Sequence, residues 1–206
     1  MKIAKRSILA LLVLAAALPL GLGAADGGGW FVFAGPALSD LSIPVVSGDK
    51  GYRLGFLVGA GYEVPVSGAL SLLVQALYTT GGTHVDTSET SDMTYAGNAV
   101  AVPILLRIKP GRGSAPFLLA GGYAGWMFSP RLEIDTNGSS SEVPINAADV
   151  NAFLYGLTAG VGFEFKIGEA GMFVNALYSY GLSNLAKTGT DEVRPSALNL
   201  IVGFRF

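Results

Sequence analysis

Residues 196–206, SALNLIVGFRF, separate into two faces when taken in steps of two. Ser196, Leu198, Leu200, Val202, Phe204 and Phe206 form one face, apolar after its first member. Ala197, Asn199, Ile201, Gly203 and Arg205 form the other, which holds an amide, a glycine and a charge. The pattern recurs along the chain. In YRLGFLVGAGYEV, Phe56, Val58, Ala60, Tyr62 and Val64 oppose Gly55, Leu57, Gly59, Gly61 and Glu63. In FLYGLTAGVGFEFK, Tyr155, Leu157, Ala159, Val161, Phe163 and Phe165 oppose Gly156, Thr158, Gly160, Gly162, Glu164 and Lys166. In AVAVPILLRIK, Val100, Val102, Ile104, Leu106 and Ile108 oppose Ala101, Pro103, Leu105, Arg107 and Lys109. A period of two marks β-strands. Strands are expected near 29–38, 51–64, 70–82, 94–109, 115–128, 150–167, 171–182 and 195–206.

In these segments the greasy face is continuous, and in three of the four the charged face is also the glycine-rich, sterically small one. A soluble barrel turns its charges outward and its greasy residues inward. Here the continuous apolar face suits lipid and the small face suits a cramped interior, as in transmembrane barrels. A β-structure crosses a bilayer only when it closes, because no backbone group can be left unpaired in hydrocarbon. The connections show a second regularity. PVSGA, PGRGS and GEA are short, whereas SDLSIPVVSGDK, the segment 83–93, SPRLEIDTNGSSSEVPINAAD and SNLAKTGTDEVR are long and polar. Short turns at one end and long loops at the other are the habit of outer-membrane barrels, with the long loops outside the cell. The expected fold is an all-β, eight-stranded antiparallel up-and-down transmembrane β-barrel.

An internal echo accompanies the strands. GFLVGAGYEV at 55–64 is similar to GLTAGVGFEF at 156–165, and LVQALYTTG at 73–81 to FVNALYSYG at 173–181. Glu63 and Glu164 occupy matching places, and Arg107 and Arg205 match near the ends of the fourth and eighth strands. Two four-strand halves follow, by duplication or by convergence of hairpins under one constraint.

Composition sharpens the picture. Of 206 residues, 50% are hydrophobic and 14% charged, and the mean hydropathy is +0.49. Soluble domains carry about a quarter charged residues. There are 29 glycines and no cysteine, which excludes disulfides, thiolate metal sites and a cysteine-linked lipid anchor. The start, MKIAKRSILALLVLAAALPLGLGAAD, has Lys2, Lys5 and Arg6, then an apolar run, then small residues. That is the layout of a secretory signal peptide, here residues 1–25, with cleavage after Ala25 and Ala24 as the alternative. The domain that remains spans 26–206. Its formal charge is 10 − 15 = −5 once those three basic residues leave, so nothing marks a nucleic-acid partner.

VPILLRIKPGRGSAPFLLAGGYAGW, LTAGVGFEF and MFVNALYSYGLSNL together resemble the PorT-like outer-membrane β-barrel domain, often filed as porin-like. The resemblance covers nearly all of the chain after residue 25. It implies an eight-stranded barrel in the outer membrane and no particular activity. The terminal Phe206 on an alternating strand resembles the C-terminal signature of such barrels, which the barrel-assembly machinery recognises. Phe206, Tyr62, Phe163, Phe165 and Phe204 are expected in a periplasmic aromatic girdle.

Candidate chemistry lies inside. Eight strands leave an interior just wide enough for side chains to fill. Glu63, Arg107, Lys109, Glu164, Lys166 and Arg205 are expected to face it, and buried charges must be paired or solvated. Glu63, Arg107, Glu164 and Arg205 are therefore expected to form a lumen charge cluster that plugs the barrel; the alternative is a narrow conduction path lined by these charges. The single histidine, His84, would lie beside Asp86 and Ser88 in an extended THVDTSET, but no flanking motif holds them as a triad, and a solvated loop accounts for them. DTNGSS at 135–140 loosely resembles the start of a calcium loop but lacks the closing glutamate, and Asn137-Gly138 suits a hairpin tip. Trp30 and Trp126 read as interface anchors rather than a stacking site; Gly121, Gly122 and Gly125 fit the lining of a ligand path and relief of crowding in a small barrel equally well.

The reading is a monomeric, non-enzymatic protein of the outer membrane with no cofactor, catalytic set or metal site. Its partners are outer-membrane lipid, the barrel-assembly machinery and an extracellular or envelope partner met by the long loops. The alternative is small-solute or amphiphile passage, and a rim-type lipid hydrolase is the remote third.

Overall fold

A computed structural model describes residues 28–42, 50–88, 91–111, 113–136, 139–145, 150–167, 170–187 and 192–206. The signal-peptide segment 1–25 lies outside the described residues. Eight strands close a barrel: β1 (Gly29–Ser42), β2 (Lys50–Ser67), β3 (Leu70–Ser88), β4 (Ser91–Ile108), β5 (Ala115–Thr136), β7 (Phe153–Ile167), β8 (Ala170–Gly181) and β9 (Arg194–Arg205). A ninth, β6 (Ser139–Pro144), pairs only with the outer part of β5. Every neighbour is antiparallel, and pairing of β1 with β9 and of β4 with β5 completes the ring. Each of the eight ring strands thus finds partners on both sides, which is what a bilayer demands of its backbone.

The expected alternation is realised. On β9, Leu198, Leu200, Val202 and Phe204 face out while Ile201 and Gly203 are buried. On β2, Phe56 and Val58 face out while Leu57 and Glu63 are buried. The outward aliphatic band, with Val32, Val58, Ile104, Leu118, Leu157, Val161 and Val202, lies between two aromatic belts. Near the short turns, Trp30 packs edge-on against Tyr62 at 5.3 Å, and Phe163 meets Phe165 at 4.8 Å. Toward the long connections, Phe56, Tyr78 and Phe128 form one run of rings, with Trp126, Phe153 and Tyr155 beside them. Two belts around an aliphatic band are the outer surface of a transmembrane barrel.

The strands run farther than the pattern of alternation reaches. β3 and β4 continue the ladder through segment 83–93, expected as a loop, and end with Ser88 opposite Ser91. β5 likewise runs on to Thr136 and takes β6 as a partner. The last strand-forming stretch before residue 167 starts at Phe153 rather than 150. Beyond the bilayer both faces of a hairpin are wetted, so the sequence loses its period while the backbone keeps its hydrogen bonds. At the other end the turns are tight. Gly111 and Gly113 supply positive φ of 110° and 85° in PGRGS, a region side chains avoid.

Inside, three layers stack from the short turns upward: a group of charges, a layer of phenylalanine and aliphatic side chains, and an open chamber. The middle layer contains Phe31, Phe33, Leu73, Leu105, Phe117, Leu119, Phe173, Leu177 and Ile201. Its rings fit because neighbouring strands offer glycine. A Cβ at Gly61 would strike the Phe31 ring, one at Gly162 the Phe117 ring, and one at Gly203 the Phe173 ring. The small inner face therefore interlocks with large residues from the adjacent strand rather than lining a hollow.

Candidate functional site

The charges meet at the narrow floor of the barrel. β2 brings Glu63, β4 brings Arg107, β7 brings Glu164 and β9 brings Arg205; an inward glycine, Gly61, Gly162 or Gly203, lies two residues before each of Glu63, Glu164 and Arg205, and Leu105 two before Arg107. Arg107 Nη1 donates to both oxygens of Glu63, at 3.1 and 2.8 Å, and Nη2 donates to Glu164. Arg205 Nη2 pairs with Glu63 and lies 3.2 Å from Glu164 Oε2. Each carboxylate is thus shared by two guanidiniums. Lys109 Nζ adds a third cation, 2.7 Å from Glu164 Oε1. Glu63, Arg107 and Glu164 are 4%, 2% and 5% exposed, so none is held by bulk water. The Arg107 guanidinium also lies over the Phe117 ring, 4.4 Å from its centroid, a cation–π contact. Arg205 and Lys109 are partly open.

The cluster carries 3 − 2 = +1 formal charge, from Arg107, Arg205 and Lys109 against Glu63 and Glu164. Charge-assisted, shared contacts of this kind are about twice as strong as neutral ones. Immediately above them, the space among Phe31, Phe117, Phe173, Asn175, Arg107 and Arg205 amounts to about 10 Å³. That is room for one water and for no solute. Arg107 Nε, Arg205 Nε and Asn175 Oδ1 are buried there without a partner among the described residues.

The structure thus brings together Glu63, Arg107, Glu164 and Arg205, with Lys109 as a fifth member. Lys166 shares the inward parity of Glu164 but is exposed, because it lies beyond the level where the lumen ends. Phe206 is 70% exposed, and its backbone N–H donates to Trp30 O at 3.0 Å, extending the β1–β9 seam. His84 Nδ1 sits 2.8 Å from Thr94 Oγ1 on the β3–β4 hairpin. Of Asp86 and Ser88 only the backbone is described, in register with Asp92 and Ser91. Asn137 and Gly138 lie outside the described residues, between the paired ends Thr136 and Ser139. Among the described residues no three His, Cys, Asp or Glu side chains gather as a metal site would need.

Above the phenylalanine layer the lumen opens into a chamber of about 460 Å³. Sequence reasoning missed it. A run of small inward residues on β4, Ala99 and Ala101, opposite Ser179 and Ala197, was the available signal. Segments at the long-connection end reach over it. Leu185 N–H donates to Val193 O, Asn151 N–H donates to Leu185 O, and Ser183 and Leu185 are buried.

A family model described as outer membrane protein beta-barrel domain matches residues 26–187. Among solved structures the chain is similar to the attachment invasion locus protein Ail of Yersinia pestis, with 18% identity, 87% of this chain and 99% of that one covered, and a TM-score of 0.45. It is similar to the outer membrane protein OprG of Pseudomonas aeruginosa at 13% identity, 87% and 96% coverage and a TM-score of 0.48. Neisserial surface protein A gives 18% identity, 88% and 100% coverage and a TM-score of 0.47. No curated protein is significantly similar. The closed ring of eight strands, its aliphatic band between aromatic belts, and a family match over most of the chain lead to one conclusion: this is an outer-membrane protein, and it belongs to the outer membrane protein beta-barrel domain family.

Proposed function

We propose that the protein is a non-enzymatic, PorT-like barrel that stays shut to ions and acts at the cell surface through its long connections and extended hairpins. The observation that carries this reading is the floor of the lumen. Five charged side chains pair with one another there, and the space between Arg107, Arg205 and the rings above them is about 10 Å³, so in this reading a passage for solutes would require the cluster to break. The opposite end is built outward instead, with the β3–β4 hairpin and the β5–β6 pair continuing beyond the upper aromatic belt. In this reading the short turns are periplasmic and the hairpins extracellular. Outer-membrane lipid surrounds a monomer of residues 26–206, the barrel-assembly machinery reads Phe206 on β9, and an extracellular or envelope partner meets the hairpins.

Planar-bilayer recording tests the reading. The purified protein should show no channel steps above the bare bilayer, and a variant with residues 132–143 removed should be equally silent. Reproducible unit conductance in the parent would refute the closed floor and favour passage of small solutes.

A further inference from the structure

The surface role leaves the chamber above the phenylalanine layer unused. Its volume of about 460 Å³ lies within the roughly 300–1,000 Å³ range of small-molecule sites. The deep wall is aliphatic, formed by Leu57, Leu77, Leu105, Leu177 and Ile201. Charge is segregated away from it. Among the described lining residues there is no Lys, Arg or His, and Asp40 is the single acid. Asp40 Oδ1 already accepts from Thr83 Oγ1 at 2.8 Å and from Leu41 N–H at 2.8 Å.

A few polar groups face the chamber. Ser179 Oγ is engaged by Thr158 at 3.0 Å and lies 3.5 Å from Asn199 Nδ2. Gln75 differs from these. It is 6% exposed, and among the described residues it is the one polar side chain that lines both the chamber and the space above the floor. A ligand that supplied one hydrogen-bonding group at this spot, and hydrocarbon elsewhere, would match the amide and the aliphatic wall and fill the space.

We propose that the chamber is a binding site for an uncharged, mainly hydrocarbon molecule with a single hydrogen-bonding group, seated with that group against Gln75. A carboxylate drawn into the same wall would find no counter-charge among the described lining residues and would be rejected. The closed floor makes this a site of retention rather than of transit. The hydrocarbon has two sources: a free small molecule entering from the long-connection end, or the chain of a membrane lipid.

The test uses the full chain in lipid nanodiscs, methyl-labelled at Leu and Ile, with n-octanol and n-octanoate as probes. Octanol should shift the Leu105, Leu177 and Ile201 methyl signals saturably, and octanoate should bind at least about a hundredfold more weakly. Gln75→Leu should weaken octanol about three- to tenfold, the worth of one hydrogen bond. Ala101→Phe, whose ring would occupy the chamber, should abolish binding, with Ala99→Leu as a smaller filling if the first variant does not fold. Val102→Phe, one residue along and facing lipid, should leave binding intact. Nuclear Overhauser contacts from the Leu177 methyls to lipid chains, lost in nanodiscs of perdeuterated lipid and not displaced by octanol, would assign the site to a membrane chain and support the proposal. Absence of both saturable shifts and lipid contacts would overturn it. So would equal affinity for octanoate, or binding that survives in Ala101→Phe. A conducting floor would refute the closed-barrel reading and leave this one standing.

Discussion

Replacing Glu63 and Glu164 together by Gln removes both anions from the floor while keeping side-chain volume. Arg107, Arg205 and Lys109 then face one another with no counter-charge. Arg205 and Lys109, with side chains 20% and 18% exposed, can turn toward water. Arg107, at 2%, cannot, since the Phe117 ring and the middle layer hold it. The cost is therefore set chiefly by Arg107. Stranding one buried charge costs about 3–5 kcal/mol. The single variants should be milder, because either remaining carboxylate still contacts both guanidiniums. Each should lose about 1.5–3 kcal/mol, as for hydrogen bonds to charged groups. Glu164→Gln should be the worse of the two, since Lys109 loses its anion as well. Reversible urea unfolding from lipid vesicles, followed by tryptophan fluorescence, gives the three free energies. Bilayer recording of the double variant should show leakage that the parent lacks. If the double variant matched the parent in unfolding midpoint and conductance, there would be no plug, and the charges would be solvated lining.

Two further outcomes follow from the faces of the strands. Leu200→Arg places a cation in the aliphatic band and should cost about 2–4 kcal/mol near the midplane, whereas Asn199→Arg, directed to the lumen, should cost less in the same vesicle assay. Equal costs would contradict the assignment of inner and outer faces. Gly162→Ala puts a methyl group against the Phe117 ring and should cost about 1–3 kcal/mol as overpacking does, while Gly68→Ala, which meets nothing within 4 Å, should leave the unfolding midpoint unchanged.

The barrel was legible because a bilayer imposes an unusually complete alternation. β7 and β9 show it residue by residue, from Phe153 to Phe165 and from Leu198 to Phe204. It failed where lipid ends. The segment around His84 and the polar SSSEVP of β6 obey no period, yet they are strands, because water satisfies both faces and the ladder persists. The inward direction of Glu63, Arg107, Glu164 and Arg205 followed from parity and from the echo between the halves. Parity alone misjudged Lys166, since it gives a direction and not a height. The fit of Phe31 into Gly61 and of Phe173 into Gly203 depends on the stagger of neighbouring strands, which no single strand encodes. The chamber was illegible for a related reason: it is the space that side chains leave over.

The seam between β1 and β9 orders events in time. Phe31 pairs with Arg205, 205 − 31 = 174 residues later, and Arg205 meets Glu63 only once that pairing is made. Contacts of such long sequence separation are slow to form. Until that seam closes, β1 presents an unpaired edge and Glu63 has one guanidinium instead of two. The final step of assembly is therefore both a zipper and a latch. Hydrogen bonds from Val202 to Phe206 close the wall as Arg205 joins the floor, so a barrel without this seam would have neither a sealed wall nor a complete floor cluster.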